Sequence, residues 1–164
     1  MPNSDPEKRR RRAPVKKTLI GWTEYVDFVD WGISRVRAKV DTGARTSALH
    51  VENLQILRNH QARFQVILSR KLAHRRTWVT APVVKWARVR SSTGHFALRC
   101  FVLTRVRIGP VTKEIAISLV SREDMTFRML LGRQALEKDF VVDVSRYHVL
   151  GGKAHNKEGS KTSP

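Results

Sequence analysis

Period-two alternation of apolar and polar residues, repeated in short segments bounded by turn residues, puts this 164-residue chain in the all-β class. Only Arg133 to Lys138 offers good helix formers without an interior breaker, so one short helix is expected near the C-terminal end. Many short strands at regular spacing with a single helix predict a barrel.

The elements follow in order. Tyr25-Val26-Asp27-Phe28-Val29-Asp30 is β-prone and ends at the turn Trp31-Gly32. Ile33 to Val40 sets Val36/Ala38/Val40 against Arg35/Arg37/Lys39, a half-buried strand. Leu49 to Leu57 and Ala62 to Leu68 read as further strands, and Arg70 to Arg76 as a basic loop. Val83 to Arg90 and Phe96 to Ile108 flank the small polar tip Ser91-Ser92-Thr93-Gly94, which predicts a long hairpin. After the turn Gly109-Pro110, Ile115/Ile117/Leu119 alternate with Glu114/Ala116/Ser118. Arg128-Met129-Leu130-Leu131-Gly132 is a short apolar run and so a buried strand, and Phe140 to Val144 is the last.

Length predicts one domain, residues 18–150, between a disordered basic arm, 1–17, and a disordered polar tail, 151–164. The formal net charge is +18. From Asn53 to Lys113 there is no Asp or Glu against thirteen Lys/Arg, a field that attracts polyanions, whether RNA, an acidic peptide or an anionic surface. With Cys100 alone, neither an intramolecular disulfide nor a cysteine-cluster metal site can form, and Cys100 reads as a small strand residue. No secretory signal or run of 18 apolar residues is visible, so a cytoplasmic protein without membrane attachment is expected.

The strand ending at Val40 runs into Asp41-Thr42-Gly43-Ala44, delivering one carboxylate to a tight loop of small residues. Asp-Thr-Gly is the active-site triplet of aspartic peptidases, but these are also common turn residues, so the tripeptide alone is weak evidence. Further motifs follow in order: Arg90-Ser91-Ser92-Thr93-Gly94-His95 and Met129-Leu130-Leu131-Gly132-Arg133, with Gly21-Trp22-Thr23-Glu24 before them. With Ala38 to Leu49 they closely resemble a bacterial retropepsin-like family labelled an "ATP-dependent zinc protease". That family is associated with ATP-grasp ligases that add glutamates to a ribosomal protein.

The resemblance covers roughly residues 18–150. It implies a closed retropepsin-like barrel in which each subunit supplies one Asp-Thr-Gly. Asp41 is then the catalytic carboxylate, Thr42 braces the loop across a dimer axis, and Gly43 and Ala44 offer backbone to substrate. Arg90, Ser92, Gly94 and His95 belong to a flap. Gly132 and Arg133 lie behind the loop, and Arg133 joins Ala44 and Arg45 in the set expected to bind substrate. One residue departs from the pattern. Retropepsins usually carry an acid after Asp-Thr-Gly-Ala that pairs with the later arginine, and here that position is Arg45.

An aspartic peptidase needs two carboxylates sharing a proton, one polarising the carbonyl and the other activating water. One triplet per chain therefore implies a homodimer, or another protein supplying the second carboxylate. Neither half of the "ATP-dependent zinc" label finds support in the residues. His50, His60, His74, His95, His148 and His155 show no metal-ligand spacing, and there is no phosphate-binding Gly-rich loop, so no metal or cofactor is expected. Trp22, Trp31, Trp78 and Trp86 read as barrel packing and hairpin support before base stacking. Arg45, Arg88, Arg90 and Arg99 are expected around an electropositive cleft. The expectation is an aspartic endopeptidase acting on acidic, oligo-glutamate or ribosome-associated segments. The alternative is a non-catalytic basic domain that binds polyanions such as RNA.

Overall fold

The computed structural model describes residues 14–68, 75–121, 123–124 and 126–151. The expected arm and tail lie largely outside these residues, as does most of the expected basic loop at 70–76. The described elements are β1 (Thr18–Gly21), β2 (Thr23–Phe28), a 3-10 turn (Val29–Trp31), β3 (Ile33–Val40), β4 (Ser47–Ile56) and β5 (Gln61–Ile67). They continue with β6 (Arg76–Arg90), β7 (Phe96–Ile108), β8 (Val111–Val120), β9 (Met129–Leu131), α1 (Arg133–Leu136) and β10 (Phe140–Asp143).

The fold is mostly β, as expected, with one short α-helix among the described residues. Eight strands run in the order β2-β3-β9-β4-β5-β6-β7-β8, and the pairings β2–β7 and β4–β8 bring the sheet back on itself into a ring. Alternate side chains point into that ring. Val26, Phe28, Val36, Ala38, Leu49, Phe64, Val102, Ile117, Met129 and Leu131 are all buried in one contiguous core. Burying the Val, Leu, Ile, Phe and Met side chains among these contributes roughly 1.5–3 kcal/mol each.

Two elements differ from the sequence reading. β1 is too short to show a period, and it forms because β10 runs parallel to it, Leu19 opposite Val141. β6 starts seven residues before Val83 and runs through Pro82. Proline lacks the N–H a strand interior needs, but it sits where β6 changes partner, from β5 at 76–82 to β7 beyond. A bulge between Val83 and Lys85 marks the switch.

The C-terminal segment is tied beneath the start of β2. The buried Glu24 accepts the N–H of Gly21 (2.8 Å) and Val149 (2.9 Å) on Oε1 and that of Leu150 (3.2 Å) on Oε2. Trp22 N–H donates to Arg146 O (2.8 Å) and His148 N–H to Thr23 O (2.8 Å). This clamp reaches the site through one bond, because Trp22 O accepts the N–H of Val40 (2.9 Å), the residue before Asp41.

Candidate active site

Asp41 owes its position to β9. That strand lies parallel to β3, Ala38 opposite Met129 and Val40 opposite Leu131, and antiparallel to β4, Leu49 opposite Met129. The chain therefore leaves β3, turns through residues 41–46, and returns as β4 on the other side of β9. Asp41 N–H donates to Leu131 O (2.9 Å), so the carboxylate is anchored to the buried strand by its own backbone.

The loop is held at each following step. Ala44 O accepts Arg133 N–H (2.9 Å) and Arg45 O accepts Gln134 N–H (3.0 Å). Ser47 Oγ accepts Gly132 N–H (3.1 Å), while Ser118 Oγ donates to Ser47 O (3.1 Å). Gly132 is demanded by space: a Cβ there would stand 2.5 Å from the carbonyl carbon and oxygen of Thr46. Sequence reasoning did not single out Ser47 or Ser118. The available signal was a hydroxyl set beside apolar residues on each strand, Ser47 before Ala48-Leu49 and Ser118 between Ile117 and Leu119, and both prove buried.

Arg133 Nη1 donates to Thr42 O (2.9 Å) and Gly43 O (3.0 Å). With Arg45 in place of the usual acid, this arginine grips main-chain carbonyls. Asp41 Oδ1 accepts Gly43 N–H (3.1 Å) and Ala44 N–H (3.2 Å), while Oδ2 has no hydrogen-bond partner among the described residues. One oxygen is thus fixed and the other is open. Asp41 is half-buried, and Thr42 and Gly43 are exposed. Among the described residues Arg45 is in no ion pair.

Arg90, Ser92, Gly94 and His95 gather at the tip of the β6–β7 hairpin. Ser91 N–H donates to His95 O (2.7 Å) and Gly94 N–H to Ser91 O (2.9 Å). Gly94 has φ +87°, a left-handed value that favours glycine. No hydrogen bond joins this tip to the Asp41 loop among the described residues. Cys100, Val102, Thr104, Val106 and Ile108 form the buried face of β7, and burial pushes the Cys100 thiol up. The same face continues past the ring as Leu98 and Phe96, 65% and 59% exposed, opposite Arg88 and Arg90. Both guanidinium groups approach the Phe96 ring, at 5.2 and 6.0 Å.

The tryptophans divide. Trp31 packs inward, stacked on Phe28 at 4.5 Å, whereas Trp22, Trp78 and Trp86 are each more than a third exposed. Trp22 packs edge-on to Phe127 with ring centres 6.0 Å apart. Trp78 stands on the outer face of β6 opposite Gln65, and Trp86 on the stretch that leaves the ring. Among the described residues no three His, Cys, Asp or Glu side chains gather as a metal site. No described helix is long and apolar enough to cross a membrane.

A strand that delivers one carboxylate into a small-residue loop, braced from behind by a Gly-Arg pair opening a short helix, is the arrangement of the retropepsin-like aspartic peptidases. The chain belongs to the RimB-like family, described as retropepsin-like aspartic endopeptidase RimB, whose model matches residues 19–152. Curated relatives include a "Probable alpha-L-glutamate ligase" of Desulfotalea psychrophila, 31% identical over 157 residues, covering 90% of this chain and 34% of that protein. A Shewanella pealeana protein of the same name is 31% identical over 143 residues, covering 84% of this chain and 31% of its own. The chain spans about a third of the length of these relatives. Among solved structures, Lpg0085 of Legionella pneumophila, a protein of unknown function, matches with a TM-score of 0.70 at 22% identity. It covers 83% of this chain and 100% of that one, and shows the fold alone.

Proposed function

We propose that the chain is an aspartic endopeptidase whose site forms when two copies bring their Asp41 loops together. The observation that carries this reading is the Asp41 carboxylate itself: among the described residues Oδ1 is held by two backbone N–H groups, Oδ2 has no partner, and no second carboxylate is bonded to the loop. Across a two-fold axis, two such groups share one proton. One carboxyl polarises the scissile carbonyl while the other takes a proton from the attacking water, and the apparent pKa values belong to the pair. Thr42, exposed at the head of the loop, meets its counterpart across the axis. The hairpin tip with Arg90, Ser92, Gly94 and His95 closes over the substrate, Ala44 and Arg45 complete the binding set, and Arg133 braces the loop through Thr42 O and Gly43 O. No metal or cofactor takes part.

The substrate is an acidic peptide segment, such as an oligo-glutamate extension on a ribosome-associated protein in the cytoplasm. The excess of positive charge supports this, and so does the occurrence of related sequence within longer proteins named as glutamate ligases. The test is hydrolysis of a glutamate-extended peptide by wild type and by Asp41→Asn. Loss of turnover with an unchanged circular dichroism spectrum is expected, and full activity in the variant would refute the reading.

A second reading, binding of a polyanion such as RNA without catalysis, is favoured by the exposed Trp78 with the Arg63 guanidinium 4.6 Å from its ring centre. It predicts binding that weakens steeply with salt and is indifferent to Asp41→Asn.

A further inference from the structure

The outer face of β5 and β6 carries an aromatic ring with its own polar surround. Along β6, Val79 and Ala81 point into the core while Trp78 and Thr80 face out. Along β5, Phe64 and Val66 are buried while Arg63 faces out. Trp78 stands directly opposite Gln65, with Arg63 on the diagonal. The Arg63 guanidinium lies 4.6 Å from the indole ring centre, and Trp78 stays 43% exposed with that cation over the ring.

A further polar group comes from β4. A register shift between Glu52 and Gln55 accompanies a left-handed Asn53, φ +52°, which asparagine tolerates better than most residues. Asn53 Nδ2 donates to Gln65 Oε1 (2.6 Å). Among the described residues Asn53 Oδ1 and Gln65 Nε2 have no hydrogen-bond partner, so the joined amides still offer an acceptor and a donor. Glu52 is paired with Arg76 (2.9 Å), while Arg63 is in no ion pair among the described residues. A single unpaired cation is a weak hold on an acidic peptide. A ring, a guanidinium and an amide donor and acceptor instead match a nucleobase, which has a π-face and both kinds of hydrogen-bonding group on its edge.

We propose that Trp78, Arg63, Gln65 and Asn53 form a platform on which one base of a single-stranded nucleic acid stacks, its edge bonded by the two amides. The acid-free span from Asn53 to Lys113 supplies the long-range attraction that brings a polyanion to it. Asn53 lies six residues along β4 from Ser47, roughly 20 Å of strand. The platform is therefore separate from the Asp41 loop, and a strand bound there leaves the loop open. This rests on the polyanion reading above and gives it a site, and it does not require that catalysis be absent.

The test follows the fluorescence anisotropy of two labelled probes titrated with the full chain: an oligoadenylate hexamer, and a ribose-phosphate chain of equal charge without bases. A diffuse positive field binds them alike, whereas the platform predicts tighter binding of the oligoadenylate. Trp78→Ala weakens that binding about fivefold to a hundredfold, as one stacked base is worth, and leaves binding of the baseless chain unchanged. Trp78→Phe keeps a ring and recovers part of the loss, which sets stacking apart from misfolding. Gln65→Ala weakens oligoadenylate binding about two- to tenfold, the worth of one hydrogen bond. Equal binding of the two probes by wild type, or a preference for bases that survives Trp78→Ala, overturns the platform. Salt-sensitive binding of both probes that Trp78→Ala leaves untouched refutes the platform while the polyanion reading stands, and absence of binding refutes both. The peptidase reading is tested apart from these, by Asp41→Asn, and Trp78→Ala is expected to leave hydrolysis of a glutamate-extended peptide unchanged.

Discussion

Asp41 shows how few side chains are needed to aim a carboxylate. Its Oδ1 is bound by backbone of its own loop, and the loop by Arg133 and by the absence of a side chain at Gly132. Gly132→Ala puts a methyl 2.5 Å from the Thr46 backbone, which cannot yield as a flexible side chain would. We expect a loss of about 1–3 kcal/mol in urea unfolding and a larger proportional loss of peptide hydrolysis, because the displaced atoms belong to the active loop. Arg133→Met separates the two effects. The arginine is exposed and holds only carbonyls, so stability should fall by about 1 kcal/mol or less while turnover drops at least tenfold through a loosened Asp41 loop. At this scale the sequence was informative. The Asp-Thr-Gly-Ala loop and the Gly-Arg pair were legible because their chemistry is written in residue type. That Arg133 would turn to Thr42 O and Gly43 O was not, since a main-chain acceptor leaves no mark in a sequence.

Among the elements, β9 and the C-terminal segment decide whether the loop exists. β9 was legible as an apolar run too short and too uniform to be anything but a buried strand, and its role as the divider between β3 and β4 required the fold. β1 and the first half of β6 were missed for different reasons. β1 is stabilised by a partner 122 positions away, Thr18 opposite Phe140, and four residues cannot show a period. β6 was hidden by Pro82, whose missing N–H is harmless at a change of partner. The Glu24 clamp lay in the quoted Gly-Trp-Thr-Glu motif, but its three N–H donors come from both sides of the chain. In Glu24→Gln, one acceptor oxygen is replaced by an NH2 facing N–H donors. This is expected to cost about 1–3 kcal/mol and to raise hydrogen exchange at Val149 and Leu150 before it affects the core strands.

For the whole molecule, charge and proton binding set the working range. His50 and His148 are held below the ordinary imidazole value, each by burial first and then by a neighbouring cation, Arg128 and Arg37 respectively. The unfolded chain therefore binds more protons below about pH 6.5; this contribution is complete above that pH and declines as the pH falls from it. Three carboxylates add a second stage. Burial raises Asp27, but hydrogen bonds from Arg35 N–H and Arg107 outweigh it, while Arg105 lowers Asp30 and the Ser145 hydroxyl lowers Asp143. Their contribution is present above about pH 3.9 and is lost as the pH falls through their lower folded values. Urea midpoints measured from about pH 8 to about pH 3 should fall in these two stages. A midpoint that rises on acidification would contradict the assignment.

The central claim is that each chain supplies half of a catalytic site, and mixing tests it most directly. A fixed amount of wild type is allowed to exchange subunits with increasing Asp41→Asn protein, and hydrolysis of a glutamate-extended peptide is followed. If both carboxylates must come from wild-type chains, activity falls to about half at equal amounts and to about a tenth at a roughly ninefold excess of the variant. Activity that stays constant per wild-type chain at every ratio would show that one Asp41 suffices, and would contradict the account.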